Sequence, residues 1–176
     1  IEIKKHFYNF YKKYNKLLIK LCAKNDLYGN PRKVKFKNFT KCSSTNLRYI
    51  LHSLLILTFM KKNNIKKIDI IEIGGGYGGL AFYLQNISKI FNIDISSYTI
   101  FDLPDISKLQ HIYLKTLNSD KIMNFYQIDN FKNLKKNSFL IANYSYSEIA
   151  LELQKEYTEK ILNPYISYGF LVWNFS

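Results

Sequence analysis

The chain has 176 residues, 47% of them hydrophobic, enough for one domain with a real core and too few for two ordinary ones. Its net charge is +13, yet Arg32 and Arg48 are its only arginines, and the side chains that read phosphates and base edges are mostly arginine forks. A solvated lysine surface is therefore expected rather than a nucleic-acid footprint. Cys22 and Cys42 have no CxxC spacing and no nearby histidine pair, which points to a reducing, cytoplasmic compartment and against structural zinc.

In chain order, Phe7, Phe10, Tyr11, Tyr14, Leu17, Leu18 and Leu21 recur at helical spacing with lysines opposite, an amphipathic helix on which His6 is expected at the surface. The following segment, with Gly29, Asn30 and Pro31 together, reads as a loop with a short extended piece near Val34 and Phe36. Ser44 or Thr45 can cap a helix over 46–60. That apolar run is interrupted by Arg48 and His52 and falls short of the ~20 residues that span a bilayer. Nothing at the start resembles a signal peptide, and an opening isoleucine suggests a piece of something longer.

From residue 68 the pattern alternates. The β-branched run 68–73 predicts a strand buried on both faces, and Leu80, Tyr83, Leu84 and Ile87 then mark a helix. A second strand at 98–101 leads to a helix opened by Pro104 and striped by Ile106, Leu109, Tyr113 and Leu117. His52 and His111 both read as packed core histidines. A weaker third strand is expected at 124–128, a fourth at 138–144, a long helix at 147–162 and a fifth strand at 168–175. Such alternation predicts a parallel sheet with helices on both faces.

Five of the six positions 74–79 are glycine, between the first strand of this series and its helix, where such sheets bind ligands. Gly74, Gly76 and Gly79 satisfy GxGxxG, and Asp94 stands twenty residues after Gly74, so the dinucleotide fingerprint is met. Two features favour S-adenosylmethionine instead. Glu72 ends the strand where a carboxylate can meet an ammonium and would repel a pyrophosphate. In "FDLP", Asp102 stands at a strand tip where it can accept both ribose hydroxyls, whereas Asp94 reads as a loop residue.

"IEIGGGYGGL", "YTIFDLPD" and "FLIANYSYSEI", in that order and preceded by "SSTNLRYI", resemble the sugar O-methyltransferases, class I S-adenosylmethionine-dependent enzymes found among glycan-building gene sets. The resemblance covers about residues 40–176. It implies a Rossmann-like class I methyltransferase fold with an N-terminal helical cap over 1–62 and a cofactor domain over 63–176, packed as one unit. The sheet of that fold continues for two more strands, so here it is expected to be truncated after the fifth. Glu72, Gly74, Gly75, Gly76, Tyr77 and Gly78 would hold the methionine part, Asp102 and Leu103 the ribose and adenine, Asp129 the adenine amino group, and Asn143 would line the pocket near the methyl.

Methyl transfer to a hydroxyl is an in-line displacement that needs an aligned acceptor and a base. Glu148 is the candidate base, with Tyr144 beside it and Ser145, Tyr146 and Arg48 shaping the sugar site. Ser145 and Glu148 also have the spacing of a capping box, in which both side chains only satisfy helix-end amides. No acidic or histidine cluster has metal spacing, so a metal-independent reaction is expected. The expected partner is a sugar or glycan, with the chain as part of a larger glycan-modifying polypeptide and no membrane span. The rival readings are a nucleic-acid methyltransferase using the lysine surface, although "NYSY" lacks the proline of base-methylating motifs, and an inactive cofactor-binding subunit.

Overall fold

The structure is a computed structural model that describes residues 2–174, with side chains from residue 7 onward. His6 and Phe175 lie outside the described side chains. Helix α1, Glu2–Asn25, follows the aromatic stripe and departs from helical geometry at Tyr14 (φ −113°, ψ 19°). The expected loop contains an antiparallel hairpin of β1, Lys33–Lys35, and β2, Lys41–Ser43. Helix α2, Ser44–Lys62, follows at once. Neither Ser44 nor Thr45 caps it. Ser43 holds the cap position, and its hydroxyl instead donates to buried Asp26 at 2.7 Å.

The remaining elements are β3 (Lys67–Ile73), α3 (Gly79–Ser88), β4 (Asp94–Phe101), α4 (Pro104–Thr116), β5 (Met123–Tyr126), β6 (Ser138–Asn143), α5 (Ser145–Glu148), α6 (Leu151–Tyr157), a π-helical turn (Thr158–Leu162), α7 (Asn163–Tyr165) and β7 (Ile166–Val172). Strands β3 to β7 form one parallel sheet in the order β5-β4-β3-β6-β7. Within the series this is order 3-2-1-4-5, reversing direction between β3 and β6. It is the Rossmann-like arrangement, and the reversal opens a crevice at the carboxyl ends of the strands.

Alternation along β3 divides its side chains between two cores. Ile68 and Ile70, with Tyr98, Ile100, Phe139 and Ile141, pack under α1 to α4. Ile71 and Ile73, with Phe101, Leu140 and Ala142, pack under Tyr146, Tyr157 and Ile161. The cap helices and the sheet thus share one core. The buried face of α4 is rotated from the expected stripe: Ser107, Gln110, Tyr113 and Leu114 are buried, while Leu109 and His111 are exposed. The long helix expected over 147–162 is broken, because Ile149 (φ −80°, ψ 155°) and Ala150 (φ −58°, ψ 148°) are extended. Ile149 is drawn onto the second core, and Gln154 Nε2 takes up its freed carbonyl at 3.1 Å. Among the described residues no helix is long and apolar enough to cross a membrane.

Candidate functional site at the carboxyl edge of the sheet

Parallel register puts the ends of the strands side by side. Ile73 pairs with Phe101, Phe101 with Tyr126, and Glu72 with Ile141, so Gly74, Asp102 and Asn143 meet at one edge. Strand β4 begins at Asp94, which is no loop residue, and Asp94 pairs with Lys67 at the opposite edge. Seven residue steps at ~3.3 Å put Asp94 roughly 23 Å from the glycine loop. Asp94 therefore cannot serve a ligand at that loop, and the dinucleotide pattern loses its acidic partner.

Gly74 (φ +70°) and Gly76 (φ +55°) both have left-handed backbones that side chains rarely adopt. They are glycines for different reasons. A Cβ on Gly74 would strike Ser145, whose hydroxyl donates to the carbonyl of Ile73 and ties the start of α5 to the end of β3. A Cβ on Gly76 would meet nothing within 4 Å, so that side of the loop is open. Gly75 N donates to Asp102 Oδ2 (3.1 Å), and Gly78 caps α3 in the left-handed region.

The Asp102 carboxylate also accepts from Leu103 N on Oδ1 (2.9 Å) and from Gln110 Nε2 on Oδ2 (2.8 Å). A carboxylate has about four lone-pair sites, so Oδ1 keeps one for a ligand hydroxyl. Burial raises the Asp102 pKa above its usual value, against the pull of these three donors. Gln110, fully buried, also donates to Gly76 O at 2.8 Å, fastening the loop to the acid. The sequence reading did not single out Gln110. Its signal was a polar residue one turn before Tyr113. Leu103 is 70% exposed beside Asp102, free to cover a flat ring. Asn143 Oδ1 is buried without a hydrogen-bond partner at the same edge, the kind of orphaned acceptor that a ligand satisfies.

Glu72 points inward. It is 1% exposed, and Tyr98 donates to its Oε2 at 2.8 Å. Burial raises its pKa to about 8, opposed by the Tyr98 hydrogen bond and reinforced by Asp102. Glu72 is consequently protonated at neutral pH, and the expected ready-made carboxylate for an ammonium is absent until a cation draws the proton off. Tyr77 is turned away from the open side of the loop. Its hydroxyl shares hydrogen bonds with Asn25, and its ring stands edge-on to Tyr113 at 5.0 Å.

Other expected residues are held elsewhere. Asp129 is ion-paired with Lys160 (3.6 Å) in solvent. Tyr146 is a buried packing residue, with its hydroxyl on Gln154 O and Thr158 Oγ1 and its ring against Trp173. Glu148 is exposed and accepts from Asn174 Nδ2 at 2.6 Å. The capping box does not form either, since Tyr144 takes the cap position of α5 with φ 72° and no side-chain cap bond. Arg48 reaches toward this edge from α2, its guanidinium 5.6 Å from the Tyr49 ring centre and 5.9 Å from that of Tyr144. Among the described residues no group of three or more His, Cys, Asp or Glu could hold a metal ion.

No family model and no curated protein matches the chain. Solved structures resemble it in fold. The PH0226 protein of Pyrococcus horikoshii aligns at 19% identity over 70% of this chain and 55% of its own, with a TM-score of 0.49. An S-adenosylmethionine-dependent methyltransferase of Clostridium acetobutylicum aligns at 15% identity over 64% of this chain and 44% of its own, TM-score 0.48. PKMT2 of Rickettsia typhi, in complex with AdoHcy, aligns at 18% over 58% and 20%, TM-score 0.44. The chain thus spans between 20% and 55% of the length of these three structures. The fold is Rossmann-like. That assignment stands on the strand order of the chain itself.

Proposed function

We propose that the chain binds S-adenosylmethionine at the carboxyl edge of its sheet and serves methyl transfer to a hydroxyl of a sugar or glycan, as part of a larger glycan-modifying polypeptide. The observation that carries the reading is the open left-handed loop at Gly76 fastened directly to Asp102, a carboxylate with one acceptor site to spare. Asp102 would take a ribose hydroxyl, Leu103 would cover the adenine, and Asn143 Oδ1 would accept from the amino-acid end or line the reacting centre. The bound cofactor supplies an electrophilic methyl group. The chain's own work is to hold that ligand, exclude water and align an acceptor oxygen. The sugar as acceptor rests on the motif resemblance in 40–176.

Incubation with S-adenosylmethionine and a panel of monosaccharides and glycosides, read by mass, tests this. A gain of one methyl on a sugar is expected. Methyl transfer confined to nucleic acid or protein would overturn the acceptor assignment.

A further inference from the structure

A cavity of about 750 Å³ lies between α1 and α2 and reaches the end of β6, walled in part by Tyr8, Tyr11, Arg48, Leu51, His52 and Tyr144. Its volume falls in the range of ligand pockets. The walls are aromatic and aliphatic, and among the described residues Arg48 is the only charged side chain in them. Among the described residues Arg48 forms no ion pair, and its guanidinium lies over the Tyr49 and Tyr144 rings.

His52, one helical turn after Arg48, is 7% exposed, and its Nδ1 is buried without a hydrogen-bond partner. Burial first, then the Arg48 charge, pushes its pKa down to about 4, so the ring is neutral and, with the proton on Nε2, Nδ1 is an acceptor. That nitrogen lacks the partner a buried acceptor ordinarily has, and an unmade buried hydrogen bond is destabilising. The cavity also adjoins the cofactor edge. Tyr144 holds φ 72°, a strained value for a side-chain-bearing residue, and the next residue, Ser145, is bonded to Ile73 beside Gly74.

Resting on the methyl-transfer reading, we propose that this cavity is the acceptor site and takes an acidic sugar: a pyranose with its apolar face on the tyrosines, its anionic group at Arg48 and a hydroxyl donating to His52 Nδ1. Sugars stack on aromatic faces, a lone guanidinium amid apolar walls favours an anion, and a neutral ring nitrogen accepts from a hydroxyl without itself needing to ionise. His52 is then the group that orients the acceptor hydroxyl, and Glu148, held by Asn174, is not required for it.

The test uses the full chain, with and without S-adenosylhomocysteine, titrated with glucuronate and with glucose while the His52 imidazole resonance is followed by NMR. Glucuronate is expected to bind at least about tenfold tighter than glucose and to move the His52 resonance. Arg48→Ala should erase the preference. His52→Phe should weaken glucuronate about tenfold, and His52→Asn, which returns an acceptor atom near the Nδ1 position, should recover most of it. Absence of glucuronate binding, equal affinity for the two sugars, or a His52 resonance unmoved at saturation overturns the inference. S-adenosylhomocysteine failing to bind in the same samples would overturn the methyl-transfer reading separately, because the glucuronate response of Arg48 and His52 is read without it as well.

Discussion

Replacing Glu72 by Gln should change the pH dependence of stability more than its size at low pH. The carboxyl is raised from an ordinary 4.5 to about 8, chiefly by burial. At about 1.4 kcal/mol per pH unit, that gap corresponds to roughly 4 to 5 kcal/mol. The sign follows from proton binding. Between pH 4.5 and about 8 the folded chain holds a proton that the unfolded chain has lost, so stability falls as pH rises through this window and levels off above it. Gln offers Tyr98 the same acceptor oxygen but cannot ionise. The difference between variant and wild type, measured by urea unfolding from pH 5 to 8.5, should therefore grow by several kcal/mol in favour of Gln. The opposite pH dependence of His52, lowered from 6.5 to about 4, is common to both proteins and cancels. A difference constant across the range would refute the buried, protonated Glu72.

Two further substitutions separate folding from ligand binding. Asp26→Ala removes a buried carboxylate that accepts from Ser43 N, Ser43 Oγ and Asn46 Nδ2. It should cost about 3 kcal/mol in chemical unfolding, since three donors lose their partner, and a loss under about 0.5 kcal/mol would contradict that. Gly76→Ala imposes a left-handed backbone on a side chain, about 1 to 2 kcal/mol of strain, without a clash, because its Cβ meets open space. S-adenosylhomocysteine affinity should nevertheless fall more than tenfold, because the proposed ligand site is that open space. Unchanged affinity would place the ligand elsewhere.

Much of the carboxyl edge of the sheet was legible in the sequence. A β-branched run before five glycines and an aspartate at the end of an apolar strand locate the crevice, because both follow from local pattern and parallel pairing. What failed was decided by distant residues. Asp94 reads as loop from "DISS" alone, and only its pairing with Lys67 makes it the start of β4. Ser145 and Glu148 have capping-box spacing, but Ile73 and Asn174 compete successfully for their side chains. Glu72 sits at the expected position in the chain, yet alternation turns it with Ile68 and Ile70 into a core, where Tyr98, 26 residues on, donates to its carboxyl. The role of Asp26 depends on Ser43 and Asn46 across the hairpin, and no periodicity records that. His52 is packed as its apolar helical stripe implies, 7% exposed with its ring on Phe170, and only the unpaired Nδ1 and the cavity beside it go beyond that reading.

Calorimetric titration of the chain with S-adenosylhomocysteine and, separately, with NADH tests the cofactor assignment most directly. One site for S-adenosylhomocysteine is expected, weakened about tenfold or more by Asp102→Ala, with no heat from NADH. Binding of NADH but not S-adenosylhomocysteine, or S-adenosylhomocysteine binding indifferent to Asp102→Ala, would contradict it.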